Sequence, residues 1–277
     1  MVAADKLPEI GDWVIMATTM HENTRIIAIE TSSGMGSVAL ARGEQLLGER
    51  FFSSQLRHGG ELVPMMDRLI QEQSWQPSDI EQIYVSVGPG SFTGLRIAIT
   101  AVKALVFAQP GVRIVAVAST DVLVQNAHLA AREHGLPLKY VGVVIDAKRN
   151  QIYTALYEKL DGERGKFPTC PGEDDLVPGF RTIIKPVVML PEQLTARDYR
   201  PLYLLGEGIK LHREKLAGED VIFLAQRYAQ PQAAQVHRCG WLRARSGMFT
   251  GVDELVPLYL RRPEAIERWE MLHGQEG

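Results

Sequence analysis

Glycine, hydroxyl and arginine residues cluster in the run GPGSFTGLR, which begins at Gly88. An apolar segment precedes the run and a long segment with helical spacing follows it, so the run joins a strand to a helix. Gly88 and Gly90 allow a tight backbone turn, and Ser91 or Thr93 can cap the helix. A helix N-terminus attracts anions, and Arg96 adds a positive charge. The run therefore predicts either an anion site or a well-capped structural turn.

Two further turns have residue types that suit a phosphate or a nucleotide. Thr31 and Ser32 follow the apolar run RIIAIE and precede a returning strand, so their hydroxyl and N–H groups lie at a hairpin tip. Gly206 and Gly208 follow the strand LYLL and open a helix. An ordinary polar hairpin and a tight strand-to-helix turn would explain the same residues, so both alternatives stay open. No Walker loop or G-x-G-x-x-G fingerprint occurs in the glycine-rich run after residue 87.

The histidines, carboxylates and cysteines do not have metal-ligand spacing. The seven histidines include no His-x-x-x-His pair and no His-Glu-x-x-His motif, so we predict no metal site. A kinase needs carboxylates to hold Mg²⁺ and to activate an acceptor hydroxyl, and Asp146 is the one obvious candidate, without a clear partner. Cys170 and Cys239 lie far apart, which predicts free thiols in a reducing cytoplasm.

Apolar periodicity predicts two α/β units of similar design. Three strands lead into alternating helices and strands over residues 25–135, and a similar order follows over 136–262. This pattern predicts mixed sheets flanked by helices. Each unit opens on a strand, a turn and a returning strand, which indicates a duplicated domain. A loop rich in Gly, Pro and charged residues is inserted in the second unit at 161–180.

The two ends and the composition add further limits. Residues 1–24 lack sustained periodicity, which predicts either an unstructured extension or a true start of translation at Met20, and 263–277 form a tail. The net charge of −3 argues against a general nucleic-acid binder, because neutralising phosphates needs clustered Lys and Arg. No apolar run approaches the roughly 18 residues of a membrane span, and acidic residues precede the short stretch WVIMA, unlike in a signal peptide. We therefore predict a cytoplasmic protein without membrane contact.

Seven segments in order along the chain carry a resemblance to a known family. They are IIAIETSSGMGSVAL, RHGGELVPMMDRLI, GPGSFTGLRIAITAVKAL, VVIDAKRNQIYTALYE, LLGEGIKLHREKL, QPQAAQVHR and ELVPLYLRRP, and GPGSFTGLR is the most specific of them. Together they resemble the bacterial TsaB (YeaZ) family of tRNA threonylcarbamoyladenosine biosynthesis proteins. The resemblance implies a two-lobed actin-like fold (the ASKHA superfamily, with RNase H-like sheets). It also implies a role in placing threonylcarbamoyl on the adenosine beside the anticodon.

The resemblance further implies a set of partners. Members are understood to be non-catalytic paralogues of a catalytic TsaD-type subunit, which they bind through helices of the first lobe. A TsaE-type ATPase joins the pair, tRNA is met indirectly through the complex, and members form homodimers when alone. The complex can hold ATP or ADP, whereas this chain itself requires no cofactor.

Two positions support the non-catalytic interpretation. In the catalytic relatives a His-x-x-x-His pair after the fifth strand binds the metal, and the matching positions here are Ser119 and Leu123. Neither side chain replaces an imidazole ligand, so the Lewis acid of the reaction has no site. We therefore predict an accessory scaffold subunit rather than an enzyme. The alternative is a self-sufficient actin-like ATPase or small-molecule kinase.

The candidate partner surface lies on the helical segments GELVPMMDRLIQEQ and GLRIAITAVKALVFA. Both are more apolar than a helix with one face on a sheet requires, and methionine suits an adaptable contact surface. The alternative is that these side chains only fill the core of the first lobe. The predicted interface residues are Leu62, Met65, Met66, Leu69, Ile97, Ala101, Ala104 and Leu105.

Overall fold

The computed structural model of the chain describes residues 22–53, 58–160 and 177–260. The predictions for residues 1–21, for most of the inserted loop (161–176) and for the tail 263–277 lie outside the described residues. The strands are β1 (Arg25–Glu30), β2 (Ser37–Arg42), β3 (Gln45–Phe51), β4 (Gln82–Ser86), β5 (Arg113–Val117), β6 (Tyr140–Asp146), β7 (Ile152–Lys159), β8 (Phe180–Met189), β9 (Leu202–Leu205) and β10 (Val221–Phe223). The helices are α1 (His58–Glu72), α2 (Phe92–Ala108), α3 (Ser119–His134), α4 (Pro191–Thr195), α5 (Ile209–Leu216) and α6 (Ala233–Arg245).

The strands form two five-stranded sheets with the same topology. The first sheet has the order β3-β2-β1-β4-β5, and the second has the order β8-β7-β6-β9-β10. In each sheet the first three strands are antiparallel neighbours, and the last two are added in parallel. The predicted α/β fold with mixed sheets flanked by helices is confirmed, and the repeated order is that of a two-lobed actin-like molecule.

The central strand of the first sheet is buried on both faces. Ile27 and Ile29 pack into a core with α1 and α2, whereas Ile26 and Ala28 pack on the other side against α6. Alternate side chains of a strand point to opposite faces, so a continuous apolar run is what a sheet covered on both sides requires. The run RIIAIE therefore encodes the central strand.

Two helices pack away from the lobe in which the sequence places them. Leu123, Val124 and Ala127 of α3 lie in the core of the second sheet, although α3 belongs to the predicted range 25–135. Helix α6 belongs to the range 136–262, and its apolar side chains pack on the first sheet. Each helix buries its apolar stripe on the sheet of the other half of the chain. The two ranges stay predictions as chain boundaries, and the packing of these helices does not follow them.

The first sheet also binds the start of α6. The Ser37 hydroxyl accepts a hydrogen bond from the Ala233 N–H at 2.8 Å, and the Glu49 carboxylate accepts one from the Ala234 N–H at 3.0 Å. A carboxylate and a hydroxyl at a helix N-terminus satisfy its free N–H groups and its dipole. Helix α6 is therefore held at its end as well as along its apolar face.

A buried polar cluster joins the two sheets between α3 and α6. The Asp121 carboxylate accepts hydrogen bonds from the Tyr157 hydroxyl on β7 and from the Arg243 guanidinium on α6, each at 2.7 Å. Arg243 also donates to the carbonyl oxygen of Ala116 on β5 at 3.0 Å. Burial raises the pKa of Asp121, although the Arg243 charge opposes that rise. Polar groups from both lobes thus satisfy one another's hydrogen bonds around the Asp121 carboxylate.

Candidate functional site

The predicted anion loop is a capped turn whose cap comes from Ser91. The Ser91 hydroxyl accepts a hydrogen bond from the Gly94 N–H at 3.3 Å and stands at the N-cap position of α2. Of the two alternatives in the sequence, the structure thus selects Ser91 over Thr93. A side-chain oxygen at this position satisfies one of the N–H groups that a helix start leaves free.

Backbone donors of the same loop are used within the protein. The Ser91 N–H donates to the carbonyl oxygen of Ser32 at 2.6 Å. The Gly88 N–H donates to the Ser119 hydroxyl at 3.2 Å, and the Ser119 N–H returns a bond to the Gly88 carbonyl oxygen at 2.7 Å. A Cβ at Gly90 would lie 2.2 Å from the Ser32 carbonyl oxygen. The lack of a side chain at Gly90 therefore allows the loop to contact the hydroxyl turn of the protein itself. This contact accounts for the glycine without a ligand.

The hydroxyl turn at Thr31 and Ser32 is likewise bound internally. The Thr31 hydroxyl donates to the Gly94 carbonyl oxygen at 2.9 Å, and the Ser32 N–H and hydroxyl both donate to one oxygen of the Glu30 carboxyl group at 2.5 Å. Glu30 is fully buried, and this desolvation raises its pKa although the Ser32 hydrogen bonds lower it. The carboxyl group of Glu30 thus occupies the donors that a phosphate would use.

The glycines of the second lobe also serve a close backbone contact. A Cβ at Gly206 would lie 2.1 Å from the carbonyl oxygen of Val144, and a Cβ at Gly208 would lie 2.9 Å from the Asp146 nitrogen. The Gly208 N–H donates to the Val144 carbonyl oxygen at 3.1 Å. The tight turn onto β6 therefore accounts for both glycines, and nucleotide binding there stays a prediction.

Asp146 has partners in the structure, and they are not carboxylates. Its two oxygens lie 3.2 Å from the His212 Nε2 and 2.8 Å from the Lys148 Nζ. Burial raises the pKa of Asp146, but the hydrogen bonds from Lys148 and His212 outweigh it and leave the pKa below its usual value. An ionised carboxylate with a low pKa is a weak general base. Throughout the described ranges, no group of three or more His, Cys, Asp or Glu residues is arranged to hold a metal ion.

Arg96 is directed to the C-terminal segment of the chain. Its guanidinium carbon lies 3.8 Å from the centre of the Phe92 ring, and its Nε donates to the Tyr259 hydroxyl at 2.9 Å. The two rings are 5.5 Å apart and tilted. The residue predicted to bind an anion at the loop is therefore held between two aromatic side chains at the edge of α2.

The predicted partner interface divides into buried and accessible residues. Leu62, Met66 and Leu69 lie in the core of the first lobe with 5% exposure or less, so their assignment to a partner surface is corrected. They recur at the spacing of one helical face, and that face of α1 lies on the sheet. The accessible members are Ala104, which is exposed, and Met65, Ile97, Ala101 and Leu105, which are half-buried.

The same two helices present apolar side chains that the sequence prediction missed. Phe107 is 90% exposed near the end of α2, and Val63 is 60% exposed on α1. Phe107 follows Ala104 by three residues, so helical spacing could have placed it on the outward face. We call Val63, Ile97, Ala101, Ala104 and Phe107 the outer face.

Comparisons with known proteins agree with the sequence resemblance. The family model described as TsaD, tRNA N6-adenosine threonylcarbamoyltransferase, matches residues 49–170. The tRNA threonylcarbamoyladenosine biosynthesis protein TsaB of Bacillus subtilis is 28% identical, over 88% of this chain and 97% of its own length. The Haemophilus influenzae TsaB is 24% identical, over 92% and 100%. The solved structure of YeaZ from Pseudomonas aeruginosa has a TM-score of 0.67 at 25% identity, over 86% of this chain and 100% of its own. Over most of its length the chain is thus similar to TsaB (YeaZ) proteins.

Ser119 and Leu123 both have structural roles in the chain. Ser119 begins α3 and Leu123 lies one turn later, and the predicted match of these positions with the metal-binding pair of the catalytic relatives stays a prediction. The Ser119 hydroxyl accepts the Gly88 N–H, and Leu123 is buried in the core of the second lobe. One position thus supports the glycine-rich loop, and the other supplies apolar packing.

In the described parts of the chain, no helix is long and apolar enough to cross a membrane.

Proposed function

We propose that this chain is an accessory subunit in tRNA threonylcarbamoyladenosine biosynthesis. It binds and stabilises a TsaD-type catalytic subunit through the outer face of α1 and α2. One observation carries the proposal: α2 has the sequence FTGLRIAITAVKALVFA, and the second half of its solvent side exposes Ala104, Phe107 and Ala108. A surface helix that is apolar on its outer side usually marks a contact with another protein.

The exposed aromatic ring at the end of α2 gives a measure of the gain. Burying a phenylalanine such as Phe107 removes on the order of 150 Å² from water, or about 4 kcal/mol before the costs of association. The small side chains of Ala101 and Ala104 would let a partner helix approach closely. A large anchor beside small residues is a suitable arrangement for helix-on-helix docking.

Three features support a non-catalytic role for the chain by itself. The hydroxyl turn donates to Glu30, the loop before α2 is bonded to Ser32 and Ser119, and Leu123 lies in a core. A site that transfers a threonylcarbamoyl group needs free donors or a metal at the reacting carbonyl. The chain therefore contributes by holding its partner rather than by chemistry of its own.

The remaining partners follow from the same proposal. A TsaE-type ATPase joins the pair, tRNA is met through the complex, and a homodimer uses the outer face when the catalytic subunit is absent. The assembly works in the cytoplasm without membrane contact. The complex can hold ATP or ADP, and this chain itself requires no cofactor.

A self-sufficient ATPase or small-molecule kinase is the second candidate, and Asp146 is the observation in its favour. The residue ends β6 near solvent, where such an enzyme would hold Mg²⁺. Its oxygens bond Lys148 and His212 instead of facing a second carboxylate. ATP turnover by the purified chain that is abolished by Asp146→Asn would favour this candidate.

The experiment that tests the scaffold role combines binding with tRNA modification. The double variant Ala101→Glu, Ala104→Glu should lose co-purification with the catalytic subunit and should fail to support modification of unmodified tRNA. The pair Thr100→Glu, Ala104→Glu, at two exposed positions, repeats the test if a glutamate at 101 prevents folding. The matched control is Lys210→Glu, Leu211→Glu on α5, which should leave both activities intact. Unchanged binding by both folded outer-face variants would refute the proposal.

A further inference from the structure

The edge of α2 carries a positive charge that the chain itself holds in place. Arg96 is exposed, but its guanidinium carbon lies 3.8 Å from the centre of the Phe92 ring and its Nε donates to the Tyr259 hydroxyl. An arginine stacked on an aromatic ring and fixed at Nε keeps its two terminal nitrogens in one plane. Such a fork matches a carboxylate in geometry, and it has lost most of its conformational entropy before binding.

In the part of the chain that the structure describes, no carboxylate lies within ion-pair distance of this guanidinium. The sequence of α2 contains no Asp or Glu. The acidic side chains on α1 already have partners, and these are Glu61 with Ser53, Asp67 with Gln71 and Glu72 with Arg50. Across the two helices that carry the outer face, a second copy of this chain therefore offers Arg96 no carboxylate that lacks a partner.

The positive charge of Arg96 lies next to the outer face. Ile97 of the outer face is the next residue along α2, and the rings of Phe92 and Tyr259 remain about half exposed on the other side. Arginine and aromatic side chains are enriched among the residues that contribute most to protein–protein binding. The pre-ordered cation thus borders the small and apolar residues that a partner helix would cover.

We propose that Arg96 is the anchor for a carboxylate of the TsaD-type partner, and that Phe92 and Tyr259 position it. This inference rests on the proposed function, because it names the chemistry by which the partner is recognised at the outer face. The partner is the catalytic subunit rather than a second copy, since the acids on α1 are engaged and α2 has none.

The test measures the dissociation constant between this chain and the TsaD-type subunit of the same organism by titration calorimetry. Arg96→Met keeps an apolar stem on Phe92 and removes the charge, and it should weaken binding by about tenfold or more. Tyr259→Phe removes the Nε acceptor and should weaken binding by about threefold. In the double variant, loss of Tyr259 should add little, because its effect passes through Arg96. Wild-type affinity should also fall more steeply with salt than that of Arg96→Met.

The matched control is a second arginine stacked on a phenylalanine. Arg213 on α5 lies 4.3 Å from the centre of the Phe223 ring, so Arg213→Met removes the same kind of cation from the other lobe. It should leave the dissociation constant unchanged. Thermal unfolding of each variant separates loss of folding from loss of binding.

The outcomes distinguish this inference from the function on which it rests. If Ala101→Glu, Ala104→Glu abolishes binding while Arg96→Met binds like the wild type, the outer face stands and the Arg96 anchor is refuted. If both variants bind like the wild type, the outer face itself is refuted. If Arg96→Met weakens self-association in sedimentation but not binding to the catalytic subunit, the occupant is a second copy and the inference is wrong.

Discussion

The last residue of the first strand is an acid in each lobe, and the two acids have opposite surroundings. Glu30 ends β1 and is fully buried, with the N–H and hydroxyl of Ser32 as its hydrogen-bond donors. Asp146 ends β6, keeps some contact with solvent and faces Lys148 and His212. The same position of the repeated sheet order therefore holds a fully buried carboxyl group in the first lobe. In the second lobe it holds an ionised carboxylate that is bound to basic side chains. In neither lobe does this position carry the carboxylate pair of a magnesium site.

The helices after the fourth strand of each lobe differ as clearly. Helix α2 follows β4, has 17 residues and contains one arginine and one lysine as its charged side chains. Helix α5 follows β9, has eight residues and reads IKLHREKL. At this position the first lobe thus has a long helix with an apolar surface, and the second lobe has a short charged helix that faces solvent. Under the proposed function, this difference is the reason to expect partner binding at the first lobe, although both sheets have the same order.

The largest effects should come from the glycines that allow a close backbone contact in each lobe. A Cβ at Gly90 would lie 2.2 Å from the Ser32 carbonyl oxygen, and one at Gly206 would lie 2.1 Å from the Val144 carbonyl oxygen. Backbone cannot yield as a flexible side chain can, so each change to alanine should cost about 3 kcal/mol of unfolding free energy. Chemical denaturation measures the loss.

Gly34→Ala is the matched control for these two variants, because nothing lies within 4 Å of a Cβ at that position. It should change stability little. If Gly90→Ala is as stable as Gly34→Ala, the loop before α2 is not packed on the hydroxyl turn, and its glycines become available to a ligand. The corresponding result at Gly206 would reopen nucleotide binding in the second lobe.

The next effect tests whether the two lobes are independent. Arg243→Met leaves the Asp121 carboxyl group buried without its cation, which should cost about 3 kcal/mol. Because the cluster contains groups from both sheets, the two lobes should still unfold in one transition. Adding Asp121→Asn should recover part of the loss, since an amide carries no charge. Two separate transitions in calorimetry, or no recovery, would show that the junction does not couple the lobes.

Much of the fold could be predicted from the sequence, because it depends on periodicity. The run RIIAIE and the segment before Asp146 are apolar enough to identify the central strands, and turn residues mark the hairpins. The exchange of α3 and α6 between lobes could not be predicted this way. An apolar stripe shows that a helix packs on a sheet, but the stripe does not say which of two similar sheets receives it.

The candidate site was harder to predict for a related reason. Glycines, hydroxyls and an arginine suit an anion, and the same groups suit a loop that bonds to itself. Only the structure shows that Glu30 takes the donors of Ser32 and that Arg96 reaches Tyr259, 163 residues along the chain. The contact between Arg96 and Tyr259 is too distant along the chain to leave a local signal, and the contact between Glu30 and Ser32 depends on the burial of Glu30. Helical spacing alone could have predicted that Leu62 faces the sheet and that Phe107 faces outward.

A smaller effect separates the helices of the two lobes. Phe107 is 90% exposed on α2, and Leu211 is 69% exposed on α5. Replacing either by alanine should leave stability nearly unchanged, since neither fills the core. Phe107→Ala should weaken binding to the TsaD-type subunit by about tenfold, and Leu211→Ala should have no effect on it. Equal effects of the two changes would remove the distinction between the lobes.

The smallest effect is the pH dependence of stability contributed by the two strand-end acids. The pKa of Glu30 is raised from its ordinary value of 4.5 by burial, so its folded form holds the proton more tightly than the unfolded chain does. Its contribution must therefore become less favourable as pH rises from that value through the raised pKa. In Glu30→Gln the amide oxygen still accepts from Ser32 and no ionisation is needed. This variant should gain stability relative to the wild type as pH increases from 4 to 8.

Asp146 should show the opposite sign. Burial raises its pKa, but the bonds from Lys148 and His212 prevail and depress it below the ordinary value of 3.8. The stability that it contributes is therefore present above that value and is lost as pH falls through the depressed pKa. Asp146→Asn should be less stable than the wild type near neutral pH and should approach it in acid. Urea denaturation of both variants between pH 2 and pH 8 measures the two slopes. If the stability difference between variant and wild type changed with pH in the same direction for both acids, the two lobes would hold their acids in similar surroundings. The contrast between a buried and an ion-paired carboxyl group would then be wrong.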